Sequence, residues 1–172
     1  MIRKFLCLHA MSLSIVILSL SAYSSEINDR KGFFLGFGAG GSAVSSSNGT
    51  EPSLLNIGLR IGGAITENII LMAETYNVVS SPNDVDGLVV HFSSQFFVKD
   101  NFYIRPGIGA GGGKDFDEDF NFIFSAVTSL GHEFRLGKYF ALSPEVKVNY
   151  FHQGNGTDFF SYGVDLGFLW YF

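Results

Sequence analysis

Residues 54–65 read LLNIGLRIGGAI, and one parity of that run is apolar while the other is small or polar. Leu55, Ile57, Leu59, Ile61 and Ile65 alternate with Asn56, Gly58, Arg60, Gly62 and Ala64. Successive side chains of a β-strand point to opposite faces, so a period of two predicts a strand with one apolar face. The pattern repeats along the chain. Strands are expected over 32–44, 54–65, 69–79, 87–98, 102–112, 120–136, 140–151 and 159–172. The connections alternate too. Those near 66–68, 99–101 and 137–139 are tight, whereas those near 45–53, 80–86, 113–119 and 152–158 are longer and polar. Short turns on one side and long loops on the other describe an up-and-down antiparallel meander with both ends on the short-turn side.

Composition narrows the class. The chain has 172 residues, which suggests one domain besides any targeting segment. Only 16% of its residues are charged, against roughly 25% in ordinary soluble domains. Nineteen Phe and 21 Gly stand against 4 Pro and a single Cys. Disordered chains are poor in aromatics and rich in charge, so disorder is excluded. One cysteine cannot build a disulfide scaffold or a cysteine-based zinc cluster. The net charge of −5 leaves no basic stripe for nucleic acid. No metal, cofactor or catalytic set is expected.

Residues 1–24 read as a secretory signal peptide, and 25–172 as the folded domain. Arg3 and Lys4 are its positive start, Ser14 to Leu20 its short apolar centre, and Ala22 and Ser24 the small residues of a cleavage site. The apolar run is shorter than the roughly 20 residues a spanning helix needs. The segment removed holds Arg3 and Lys4 and no acid, which leaves 9 basic and 16 acidic residues, net −7.

Two closed barrels could use eight such strands. A soluble ligand-binding barrel would turn the apolar set inward; a membrane barrel would turn it to lipid. The polar set decides. It is mostly Gly and Ser, with Arg60, Glu74, Arg105, Glu133, Arg135, Glu145, Lys147 and Asp165. Such a set is too small to clothe the outside of a soluble barrel, and it suits a narrow lumen in which four bases and four acids pair. Counting from the tight turns sets Arg60 opposite Glu74, Arg105 level with Glu133, and Lys147 level with Asp165. Buried charges left unpaired are costly, so these pairs are expected. An eight-stranded interior is filled by side chains, which predicts a plugged lumen. The fold expected is therefore all-β: an eight-stranded antiparallel up-and-down transmembrane β-barrel. Phe33, Phe102, Phe140, Trp170 and Tyr171 on the short-turn side, and Phe120, Phe122, Tyr150, Phe159 and Phe160 on the loop side, are expected as two interfacial belts.

The chain ends VDLGFLWYF, with Val164, Leu166, Phe168, Trp170 and Phe172 alternating to an aromatic terminus. This resembles the C-terminal sorting signal of Gram-negative outer-membrane barrels. Residues 25–172, with RPGIGAG at 105–111 and LGHEFRL at 130–136, resemble the small OmpX/OmpA-type barrel domain. The resemblance implies a place in the bacterial outer membrane, contact with outer-membrane lipid and lipopolysaccharide, and reading of the last strand by the barrel assembly machinery. With no periplasmic domain following, a peptidoglycan anchor of the OmpA type is not expected. Within that family, structural, adhesive and lipid A-modifying members share one fold, which does not choose among them.

Three functional readings follow. The first is an integral barrel with a structural or surface-interaction role carried by its loops. The second is a lipid A deacylase. It rests on His91-Phe92-Ser93, the only His-x-Ser in the chain, with Glu74 on the preceding strand as orienter. It would need its catalytic cluster on the lipid face, whereas the alternation puts all three residues in the lumen. The third is a secreted soluble barrel with its Phe-rich face inside. His152 and Asn155 lie at the loop end of the seventh strand, where an ordinary surface loop is expected. Asp115, Asp117, Glu118 and Asp119 form an acidic loop that carboxylate-seeking cations could bridge to lipopolysaccharide. The Asn-Gly steps at Asn48 and Asn155 are read as turns.

Overall fold

The computed structural model describes residues 30, 32–46, 49–80, 85–114, 120–154, 156 and 158–172. The expected signal peptide, the acidic residues 115–119, and Asn48 and Asn155 lie outside them. The described residues form β1 (Gly32–Ser46), β2 (Gly49–Thr66), β3 (Ile69–Ser80), β4 (Val85–Lys99), β5 (Phe102–Lys114), β6 (Phe120–His132), β7 (Phe134–Arg135), β8 (Phe140–Gln153) and β9 (Asp158–Tyr171). Each main strand pairs antiparallel with its neighbours in sequence. β1 pairs with β9, and β6 and β7 both pair with β8, so the sheet closes into eight staves, one of them made of β6 and β7. Closure gives every stave a neighbour on both sides, the condition for a sheet to sit in hydrocarbon, although the β2–β3 ladder runs only from Thr66↔Ile69 to Arg60↔Glu74. The ends meet on the short-turn side, where the Phe172 amide donates to the Phe33 carbonyl at 2.8 Å.

The alternation resolves into an outside and an inside. Leu59, Phe92 and Ile108 are 64%, 70% and 71% exposed on the outer parity. Arg60, His91 and Arg105 beside them are buried on the inner one. The Phe-rich face is outside, which removes the soluble barrel with an aromatic pocket.

Four expectations are corrected. The segment 120–136 is not one regular strand: β6 ends at His132, and Glu133, Phe134 and Arg135 are all buried. Glu133 and Arg135 keep the inward parity of Ser129 and Gly131, while the interruption takes Phe134 off the outer face, its ring 4.4 Å from that of His132. The loop expected at 45–53 is mostly strand, with β1 and β2 paired out to Ser46↔Gly49. Ser and Thr are tolerated in a strand whose backbone is paired, as Ser45 and Ser46 are with β2 on one side and β9 on the other, so polarity there misreads as loop. Tyr171 and Phe159 are 3% and 7% exposed and face inward, leaving Trp170 and Phe160 to the belts. Neighbours along a strand cannot share a face. The fourth correction concerns Arg105.

Candidate functional site

The largest concentration of functional side chains lies inside the barrel, in layers. On the short-turn side, Arg30, Glu133 and Arg135 form a charged floor. Arg135 Nη1 approaches Glu133 Oε1 at 3.1 Å, Arg30 Nε reaches the same oxygen at 3.4 Å, and Tyr171 donates to Oε2 at 2.7 Å. Arg30 also donates to the Glu67 and Asp100 carbonyls and to Asn101, and its guanidinium lies 3.6 Å above the Phe97 ring. Next comes an apolar layer of Phe34, Ile70, Met72, Phe97, Tyr103, Ala141, Leu169 and Tyr171.

Above that layer six charges meet at mid-barrel. Glu145 Oε1 accepts from Arg60 Nη2 at 2.5 Å and from Arg105 Nη2 at 2.7 Å, while Tyr103 donates to Oε2 at 2.7 Å. Glu74 Oε2 lies 3.4 Å from both Arg60 Nε and Arg105 Nη2. Lys147 Nζ lies 2.9 Å from Asp165 Oδ2 and 3.4 Å from Glu145. Three cations thus balance three carboxylates, all buried. The six come from β2, β3, β5, β8 and β9, so the cluster ties opposite walls together. Glycine makes the room. A Cβ at Gly167 would fall 2.6 Å from Arg60 Nη1, and one at Gly131 only 2.3 Å from the Tyr103 hydroxyl. A second apolar layer of Tyr76, Val89, Ile123, Phe151 and Phe159 lies on the loop side.

The eight charges read from the sequence are therefore all inside, in two groups. Arg60 stands opposite Glu74 in register, and Lys147 meets Asp165. Arg105 does not meet Glu133. It pairs in register with Ser129, four residues before Glu133, and its guanidinium turns toward Glu145 and Glu74 instead. The stagger of a closing barrel carries Glu133 down to the floor. Sequence reasoning missed Arg30, because it precedes the first alternating run. It also missed Tyr103 as a hydrogen-bond donor to the cluster. The signal available for Arg30 was the basic pair Arg30-Lys31 directly before a strand start.

The residues of the deacylase reading are not assembled for catalysis. Ser93 Oγ donates to Glu74 at 3.1 Å, while His91 Nε2 lies 2.6 Å from a different hydroxyl, Ser125 Oγ. His91, Ser93 and Glu74 are 1%, 4% and 2% exposed, within the lumen. On the outer face at the loop side, His152 Nδ1 lies 2.7 Å from Asp158 Oδ1, and Tyr150 donates to the same oxygen at 2.9 Å. Asp158 is the only hydrogen-bond partner of the His152 side chain among the described residues, so no nucleophile completes that pair.

The C-terminal residues singled out above lie on one face. Val164, Leu166, Trp170 and Phe172 are exposed, and Phe168 stacks on Phe37 with ring centres 4.7 Å apart. Trp170 packs 5.2 Å from Phe140, and Phe172 lies 6.2 Å from Phe33.

A closed eight-stave barrel has solved counterparts. Neisserial surface protein A superposes with a TM-score of 0.68 at 14% identity, over 81% of this chain and 97% of its own. The N-terminal β-barrel domain of Pseudomonas aeruginosa OprF gives 0.53 at 13% identity, over 79% and 96%. This chain has the fold of the small eight-stranded outer-membrane barrels. Ail of Yersinia pestis, solved with the heparin analogue sucrose octasulfate, shares that fold with a TM-score of 0.50 at 13% identity, over 80% and 97%. No family model matches the chain, and no curated protein sequence does. At these identities the small-barrel likeness speaks for architecture, and activity must be argued from the residues.

Proposed function

We propose that the protein is an integral outer-membrane barrel with a plugged lumen, acting through its loop-side hairpins rather than as a catalyst or a pore. The observation that carries this reading is the interior: two apolar layers separated by a charge cluster of zero net charge, with side chains from opposite walls in contact. A diffusion channel needs a continuous polar path, and the aromatic layers interrupt one. A deacylase needs a nucleophile on the lipid face, and His91 and Ser93 face the other way.

On this reading residues 1–24 are the export address, and Val164, Leu166, Phe168, Trp170 and Phe172 are the signal by which the assembly machinery receives the last strand. Outer-membrane lipid and lipopolysaccharide are the partners of the outer face. The hairpin tips would carry any surface partner. With Asp115, Asp117, Glu118 and Asp119 within five residues of sequence and a net charge of −7 once residues 1–24 are removed, an anionic polysaccharide is a poor fit for this chain. A cationic surface, or a divalent ion bridging to phosphate, fits better.

The test is fractionation of expressing cells with gels of unheated and boiled samples, followed by recordings in planar bilayers. An outer-membrane band that shifts on boiling and inserts without steady conductance is the expected result. A soluble periplasmic band, or a stable open channel, would overturn the reading.

A further inference from the structure

The outer wall of the barrel is not evenly clothed. Across β2, β3 and β4, Ile61 stands opposite Ala73, Ala73 opposite Phe92, and Leu71 opposite Ser94. Two small side chains, Ala73 and Ser94, therefore lie among three large ones. The result is a furrow of about 400 Å³ on the outer face, lined by Ile61, Leu71, Ala73, Phe92 and Ser94. Gly62, Met72 and Ser93, on the inward parity, complete its floor.

The furrow becomes polar toward the loop side. The β2–β3 pairing runs from Thr66↔Ile69 to Arg60↔Glu74, and no further register between these strands follows among the described residues. The Leu59 amide donates to Thr75 Oγ1 at 2.9 Å instead of to a ladder carbonyl. Thr75 and Asn77 continue the outward parity of Ala73, opposite Val90 and Leu88. The Thr75 hydroxyl accepts from Leu59 and still has its own hydrogen to donate. Asn77 is exposed. Thr75 lies about 7 Å from Ala73 along an extended strand. Asn77 is the ninth residue of β3, close to where a tilted strand of about 9–11 residues reaches the interface.

We infer that this furrow binds one acyl chain of a lipid from the loop-side leaflet, with the ester or amide linkage of that chain held at Thr75 and Asn77. An apolar tract that ends in hydrogen-bond donors, with the donors on the interface side, repeats the order of groups along a lipid. Main-chain groups beyond the end of the β2–β3 ladder are costly to leave in hydrocarbon. A carbonyl of the lipid linkage supplies an acceptor at that place.

The experiment is native mass spectrometry of the folded, full-length mature protein. On the outer-membrane reading proposed above the loop-side leaflet carries lipopolysaccharide, so the protein is equilibrated in detergent with purified lipid A, whose acyl chains hang on ester and amide linkages, and then diluted into delipidating detergent. The unaltered protein is expected to retain one lipid A molecule. Ala73→Phe fills the furrow and is expected to lose it, as is the Thr75→Val, Asn77→Leu pair in part. Ala126→Phe, on the exposed outer face of β6, is expected to keep it. If the unaltered protein retains no lipid, or if Ala73→Phe and Ala126→Phe retain it equally, the furrow is ordinary wall and the inference fails. A dimer abolished only by Ala73→Phe would assign the furrow to a second copy and overturn it as well. Gel mobility before and after boiling establishes that each variant is folded, and Ser94→Phe replaces Ala73→Phe if the latter does not fold.

Discussion

Glu145→Gln is the most informative single change in this barrel. The glutamine keeps the side-chain volume and removes one charge. In the folded protein Glu145 meets Arg60 at 2.5 Å, Arg105 at 2.7 Å, the Tyr103 hydroxyl at 2.7 Å and Lys147 at 3.4 Å. Its loss leaves three cations facing only Glu74 and Asp165, so the mid-barrel layer carries an uncompensated positive charge. Breaking one partner of a buried ion pair costs about 3–5 kcal/mol, and at 1.4 kcal/mol per tenfold that is more than about a hundredfold in the unfolding equilibrium. The assay is urea unfolding of the protein refolded into lipid vesicles. It would be followed by the heat-dependent gel shift and by the fluorescence of Trp170, the only tryptophan. Adding Arg105→Met to Glu145→Gln restores neutrality and should recover part of the loss, so the double variant is more stable than additivity requires. A loss below about 1 kcal/mol for Glu145→Gln would refute the reasoning, because it would mean that the cluster is solvated like a surface pair.

Other variants probe other layers. Gly131→Val would push a Cβ to 2.3 Å from the Tyr103 hydroxyl and 2.9 Å from the Pro144 carbonyl; overpacking of this kind costs about 1–3 kcal/mol, while Gly154→Ala, with 3.7 Å to its nearest neighbour, should leave the urea midpoint unchanged. Arg30→Gln removes the clamp between the floor and the Glu67 and Asp100 carbonyls, so hydrogen exchange should rise at the 67–68 and 100–101 turns and stay slow at mid-barrel. Removal of Phe172 should lower the yield of heat-shifting protein in the outer membrane far more than it lowers refolding of the purified chain into detergent; equal losses in the two measurements would count against an assembly signal.

The legible part of this protein is the part that depends on nearest neighbours. Alternation in LLNIGLRIGGAI and its counterparts settles which parity is apolar, because a strand offers its side chains only two directions. The count of staves and the tight turns near 66–68 and 99–101 follow from the same local rule. So does the placement of Arg60, Glu74, Glu145 and Lys147 inside. Segments whose side chains do not announce their backbone pairing misread. Residues 45–53 look like loop because they are polar, yet β1 and β2 remain paired to Ser46↔Gly49. Glu133 and Arg135 follow the alternation into the lumen, but Phe134 between them is buried as well, which a period of two does not predict.

Which charge meets which is a different kind of question. Arg60↔Glu74 could be counted from a turn, since the hairpin fixes their register over a few residues. Arg105 with Glu145 could not. These residues are 40 positions apart, and the shear of the closed sheet, which no single hairpin contains, brings them together. The same holds for Arg30 on Glu133, 103 positions apart, and for the furrow at Ala73, which exists only where three strands lie side by side. The amino-acid order determined the strands, their faces and the balance of charge. Closure of the barrel decided the partners, because only closure sets the heights at which opposite walls meet.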